Sequence, residues 1–194
     1  GCRQYRENIA EAQTEIGEGA PAVNKLRMAF NHPLYIEASV DRVRDAVNQI
    51  TESRRDSIRF VFTAHSIPMS MAEGCKYSTQ LTEACRLIME GIGEHPWDLV
   101  YQSRSGPPMQ PWLDPDVCDH LRTIKETDDV NEVVIMPVGF VSDHMEVLFD
   151  LDTEAKEVCD ELGIEMARAK SVGVHPSFIK MIRELILERT TGTE

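Results

Sequence analysis

The residues able to do acid–base or metal chemistry gather in two short stretches. In FVFTAHSIP (60–68), His65 follows a run of apolar and β-branched residues. An imidazole at the tip of a strand is a proton acceptor and a ligand for borderline metals, unless it is only a satisfied structural group. In SDHMEVLFDLDTE (142–154), Asp143, His144, Glu146, Asp150 and Glu154 follow one another. Glu146, Asp150 and Glu154 are spaced i, i+4, i+8, which stacks three carboxylates on one face of a helix. No Lys or Arg lies between Lys125 and Lys156 to relieve them. Two readings stay open: a solvated acidic face, or a ladder that a divalent cation can enter, since carboxylate oxygen and imidazole nitrogen suit hard and borderline cations. A local widening of the helix into a π-turn would help to aim these groups. Asp143, or Ser142 before it, reads as the helix N-cap. His144 then falls near the strand tip of His65, so that two imidazoles and a carboxylate converge on one point and can bind metal, accept protons, or both.

A third stretch, YQSRSGPPMQPWL (101–113), is rich in Gly and Pro and carries Trp112. Its prolines either stiffen a connection under which Trp112 packs, or make with Trp112 a wall for a flat apolar ligand. Met69, Met71 and Met109 would suit such a wall and equally serve as filler.

These stretches need elements to hold them. The apolar period gives helices at 3–16, 34–51, 80–91, 114–127, 143–162 and 176–189, and strands at 23–30, 58–63, 98–102, 132–136 and 164–169. Regular βαβ succession implies an α/β fold with a doubly wound parallel sheet, where ligands sit beyond the carboxyl ends of the strands. His65, the 102–113 loop and the 137–155 segment all follow strands, so they share one rim.

Composition narrows the function classes. The 194 residues hold 20 Lys+Arg against 33 Asp+Glu, a net charge of −13, without a basic cluster. That argues against a nucleic-acid or anionic-membrane binder. No apolar run reaches the ~20 residues of a membrane helix. The five cysteines are odd in number and widely spaced, which fits reduced thiols in a cytoplasmic protein better than a disulfide framework.

The three stretches FVFTAHSIP, YQSRSGPPMQPWLDPDV and PVGFVSDHMEVLFDLDTEA, with GCRQYRENI at the start, together resemble the ferrochelatases, and their wording is similar to actinobacterial members of that family. The resemblance implies a chelatase-like (Rossmann-like) fold and insertion of ferrous iron, as substrate, into a porphyrin, coproporphyrin III or protoporphyrin IX, in haem biosynthesis. It implies that His65 and Glu146 are the catalytic, metal-facing pair, that Asp150 and Glu154 form an acidic path for protons or metal, and that Asp143 and His144 support them. Tyr5, Ser103 and Trp112 correspond to porphyrin contacts. Cys2 matches one ligand of the [2Fe-2S] cluster of some relatives, but the trailing cysteines are missing, so no cluster is expected. The match covers the end of a first chelatase half (1–54) and a whole second half (55–194). The chain is therefore expected to be a fragment whose partner is its missing N-terminal half, with reduced or no activity alone. A cobalt or nickel chelatase of another tetrapyrrole, or a non-catalytic metal- or tetrapyrrole-binding module, is the alternative.

Overall fold

A computed structural model describes the backbone of residues 2–107 and 109–191 and the side chains from residue 4 onward over the same range. The described residues fall into two compact units, one within 1–28 and 183–194, the other 29–182.

In the smaller unit, α1 (Cys2–Ile16) ends where Gly17 takes a positive φ of 70°. The 23–30 run, expected as a strand, forms none. Its polar residues bond instead to side chains late in the last helix: Arg27 Nε donates to Glu188 Oε2 at 2.8 Å, and Arg189 Nη2 donates to Asn24 Oδ1 at 2.9 Å.

The larger unit is a three-layer α/β sandwich. Helix α2 (Pro33–Val47) is capped by His32, whose Nδ1 accepts from Leu34 N at 3.2 Å. After a 3₁₀ turn (Glu52–Ser57) the chain runs through β1 (Arg59–His65), a short α3 (Met69–Ala72), α4 (Tyr77–Ile92) and β2 (Trp97–Gln102). It continues through α5 (Val117–Asp128), β3 (Glu132–Met136), the single turn α6 (Met145–Val147), a π-helical segment (Leu148–Ala155) and α7 (Lys156–Leu162). Strand β4 (Glu165–Arg168) and helix α8 (Pro176–Thr191) follow, α8 belonging to this unit only as far as residue 182. The four strands are parallel in the order β2-β1-β3-β4, as a doubly wound sheet requires.

Both faces of the sheet are covered, which is why β1 and β3 read as continuous apolar runs. One face packs under the π segment and α5: Val61, Val100, Val133 and Ile135 meet Val117, Leu121, Val147, Leu151 and Ala155 in one buried cluster. Phe60 and Phe62 alternate to the face of α2 and α4 and are 2% and 1% exposed. Several expected boundaries move; α4 starts at Tyr77 rather than 80, and β1 runs on to His65 rather than 63. Helix α2 stops at Val47 rather than 51; α5 starts at Val117, because the Asp116 side chain accepts from Cys118 N and caps it; and the 143–162 helix starts at Met145. Among the described residues, no helix is long and apolar enough to cross a membrane.

Candidate functional site

His65 is the last residue of β1 and lies opposite Gln102, the last of β2. Its Nδ1 is 2.5 Å from Ser66 O. A carbonyl oxygen only accepts, so this contact assigns a proton to Nδ1; in the neutral ring Nε2 then carries the lone pair. Nε2 faces Glu146 Oε1 at 3.5 Å, with the two side chains 34% and 46% exposed. A lone pair and a carboxylate at that distance repel one another; a proton or a cation placed between them turns repulsion into attraction. Tyr77 supports the strand tip from α4, its hydroxyl donating to His65 O at 3.0 Å.

The loop that brings Glu146 to His65 lies directly on β1. Gly139 N donates to Thr63 O at 3.1 Å, and a Cβ on Gly139 would stand 2.7 Å from Ala64 Cβ. Only glycine lets the two backbones approach this closely. The Phe140 ring centroid is 6.5 Å from that of His65 and 5.2 Å from that of His144. His144, not Asp143 or Ser142, is the N-cap of α6, with Nδ1 accepting from Val147 N at 3.4 Å. Asp143 is drawn elsewhere: its Oδ1 accepts from Ser171 N and from Arg168 Nη1, both at 3.0 Å. Arg168 also forks onto Asp152, so one guanidinium braces the loop to the middle of the π segment.

The carboxylate row descends from Glu146 along that segment. Asp150 Oδ2 accepts from Gln102 Nε2 at 3.1 Å and from Ser103 Oγ. Ser103 achieves this with a positive φ of 62° just past β2. Glu154 is held above the usual carboxylate range, first by burial and then by the charges of Asp150, Asp116 and Glu157. Asp116 is also raised, by burial and by Asp119 and Asp150, against its bond from Cys118 N. Asp116, Asp150 and Glu154 thus lie within electrostatic reach of one another. Among the described residues no three His, Cys, Asp or Glu side chains converge into a metal cage.

The Gly/Pro loop closes the rim. Leu113 N donates to Ile67 O at 3.0 Å, Met69 N to Pro111 O at 2.9 Å, and Ser66 Oγ to Leu113 O at 2.8 Å. Trp112 is half-buried with its ring directly under Gly106, where a Cβ would stand 2.2 Å from the indole. Met71 and Met109 are exposed. Tyr5 lies on α1 in the smaller unit with its side chain 70% exposed. The side chain of Cys2 is outside the described residues. Burial pushes the thiols of Cys118 and Cys159 up to about 11 and about 12, so both are neutral at pH 7.

Sequence reasoning missed Gln102, Tyr77, Arg168 and Asp116. Gln102 had a signal, as a polar residue ending an apolar strand beside His65's strand. Tyr77 and Arg168 had none, because their contacts are set by packing across the sheet.

A family model described as Ferrochelatase matches residues 1–190. A ferrochelatase from Rhodopirellula baltica is 56% identical over 189 residues, 97% of this chain and 54% of the relative. Coproporphyrin III ferrochelatases from Nocardia farcinica and Streptomyces coelicolor are 47% and 45% identical, and the chain covers 56% and 55% of them. The chain spans about half the length of the curated relatives it matches. On the family match along nearly its whole length, the chain belongs to the ferrochelatase family.

Proposed function

We propose that this chain carries the proton-accepting, metal-facing side of a ferrochelatase cleft, in a protein that inserts ferrous iron into a porphyrin, coproporphyrin III or protoporphyrin IX. One observation carries the reading: the Nε2 lone pair of His65 and the Glu146 carboxylate face each other at 3.5 Å. Inserting a divalent ion into a free-base porphyrin releases two pyrrole protons and needs a lone-pair donor to guide the incoming cation. A neutral imidazole held in one tautomer suits the first task, and a carboxylate beside it suits the second. Protons taken at the pair pass down the row to Asp150 and Glu154. Asp150 is held by two donors, and Glu154, already raised, takes a proton more readily than an ordinary carboxylate. Asp143 and His144 act in support, one bracing the loop and the other capping α6. Ser103, Trp112 and Tyr5 contact the porphyrin. Residues 1–54 end a first half and 55–194 form the second; the opposite cleft wall is supplied by the rest of the protein, in the cytoplasm. No [2Fe-2S] cluster is assigned to the chain, and iron and sulfide content after anaerobic purification tests that assignment.

The test grafts the chain into the Rhodopirellula baltica relative in place of the matching segment. The graft should metallate coproporphyrin III. His65→Ala should lower kcat by about 10²–10⁴, the range of a lost general base, and retain porphyrin binding. Unchanged kcat in His65→Ala refutes the role of the pair. Steady-state iron insertion by this chain alone refutes the division of the cleft between two halves.

A further inference from the structure

A cavity of about 540 Å³ opens at the free edge of the sheet, away from the His65 rim, between α2, the π segment with α7, and β4. Its charged lining is Arg42, Asp45, Asp152, Lys156, Arg168 and Lys170. Four cations against two acids is unusual surroundings in a chain of net charge −13. Internal pairs occupy part of that set: Arg168 holds Asp143 and Asp152, and Lys156 holds Asp160. Arg42 and Lys170 have no ion-pair partner among the described residues. The Nε of Arg42 is also buried without a hydrogen-bond partner. A buried guanidinium N–H left unmatched costs more than an exposed one, and such a group in a native fold calls for an acceptor.

The backbone adds donors. Glu165 N bonds to Asn131 O and Ala169 N to Ile135 O, both at 2.8 Å, so residues of odd number turn their N–H toward β3. By the two-residue period of a strand, Met166 and Arg168 turn theirs outward to the free edge, where both residues line the cavity. We propose that this cavity binds a small polyvalent oxyanion, of phosphate or polycarboxylate chemistry, held by Arg42, Lys170 and the outward N–H groups of β4. Asp45 and Asp152 line the same cavity and oppose an anion, and what offsets them is a ligand with two anionic groups that engages Arg42 and Lys170 together. The occupant would also sit beside Arg168, the residue that braces the loop of His144.

Amide NMR of the chain, titrated with inorganic phosphate and separately with citrate against sodium chloride at matched ionic strength, tests the site. Saturable shifts at Met166, Arg168 and Lys170 are expected, with Kd near 1 mM or tighter. Arg42→Gln and Lys170→Gln should each weaken binding about tenfold. Saturation by phosphate alone assigns phosphate chemistry, and by citrate alone polycarboxylate chemistry. Shifts that stay linear and match chloride overturn the proposal, as does saturable binding that both variants leave unchanged. Lys170 is exposed, so Lys170→Gln decides the matter even if Arg42→Gln does not fold.

Discussion

Replacing Gly139 by Ala strikes the contact on which the site geometry rests. The new methyl would lie 2.7 Å from Ala64 Cβ, 2.9 Å from Ala64 Cα and 3.6 Å from His65 N. Ordinary carbon contacts need roughly 3.5–4.0 Å, so the loop must lift by about 1 Å. Ala64 is fully buried in the central strand and cannot give way. Lifting stretches the bond from Gly139 N to Thr63 O and the one from Tyr35 Oη to Val138 O, now 3.1 and 2.9 Å. Overpacking costs about 1–3 kcal/mol and a weakened hydrogen bond about 1 kcal/mol more, so a loss of about 2–4 kcal/mol follows. At about 2–4 °C per kcal/mol for a chain of this size, the melting temperature should drop by roughly 4–16 °C. Gly74→Ala is the internal control, because its Cβ would meet nothing nearer than 3.7 Å and its φ is not positive. That variant should be neutral or stabilised by about 0.4–1 kcal/mol. Urea unfolding of both variants beside wild type reads the difference directly. In the graft, a 1 Å displacement of Glu146 from His65 should also cost about 10² in kcat. Equal urea midpoints for Gly139→Ala and Gly74→Ala would show that the loop does not rest on β1 as described.

Other perturbations test the electrostatics. Burial alone would raise the Asp98 carboxyl, but hydrogen bonds from His120 and Arg59 outweigh it and bring the value to about 2. The folded value is below the unfolded one, so the stabilisation is present above pH ~4 and lost as pH falls through ~2; it is worth about 2 kcal/mol. The stability gap between wild type and Asp98→Asn, measured by urea unfolding, should close over that window, and a gap constant in pH would contradict the assignment. Glu154 has the opposite sign: its raised folded value makes the native state bind more protons than the unfolded one as pH rises past the ordinary range, so its charge opposes folding at neutral pH. Glu154→Gln should therefore raise the urea midpoint at pH 7 and lose that advantage at pH 4, whereas a lower midpoint at pH 7 would sink the account. Arg168→Ala strands Asp143 and Asp152 without their shared cation and should cost about 2–3 kcal/mol by urea unfolding; a change within about 0.5 kcal/mol would mean the brace does not hold the loop.

The sheet was legible because its strands are buried on both faces, so burial left apolar runs such as IRFVF and EVVIM with no competing pattern. The 23–30 run misled for a related reason: Val23, Leu26 and Met28 are exposed at 49%, 40% and 58%, so their apolar character never answered to a core. Helix starts slipped where side chains chose the cap. His144 took that place because Asp143 had a stronger claim from Arg168 and Ser171 N, a contact 25 to 28 residues away that no local pattern contains.

The carboxylate row shows where sequence and structure part company. A four-residue spacing is the same string of letters in an α-helix or a π-helix, and it foretells stacked acids in either case. What it cannot foretell is where the row points. The wide turn from Leu148 to Ala155 leaves Asp150 against Gln102 and Ser103, at the very strand end that pairs with His65. The donors that hold Asp150 are therefore supplied by the neighbour of the strand carrying His65, and Asp150 is one of the causes that raise Glu154. His65, Glu146, Asp150 and Glu154 fall along one rim because β1 and β2 end in register, a fact of sheet pairing that local sequence leaves open.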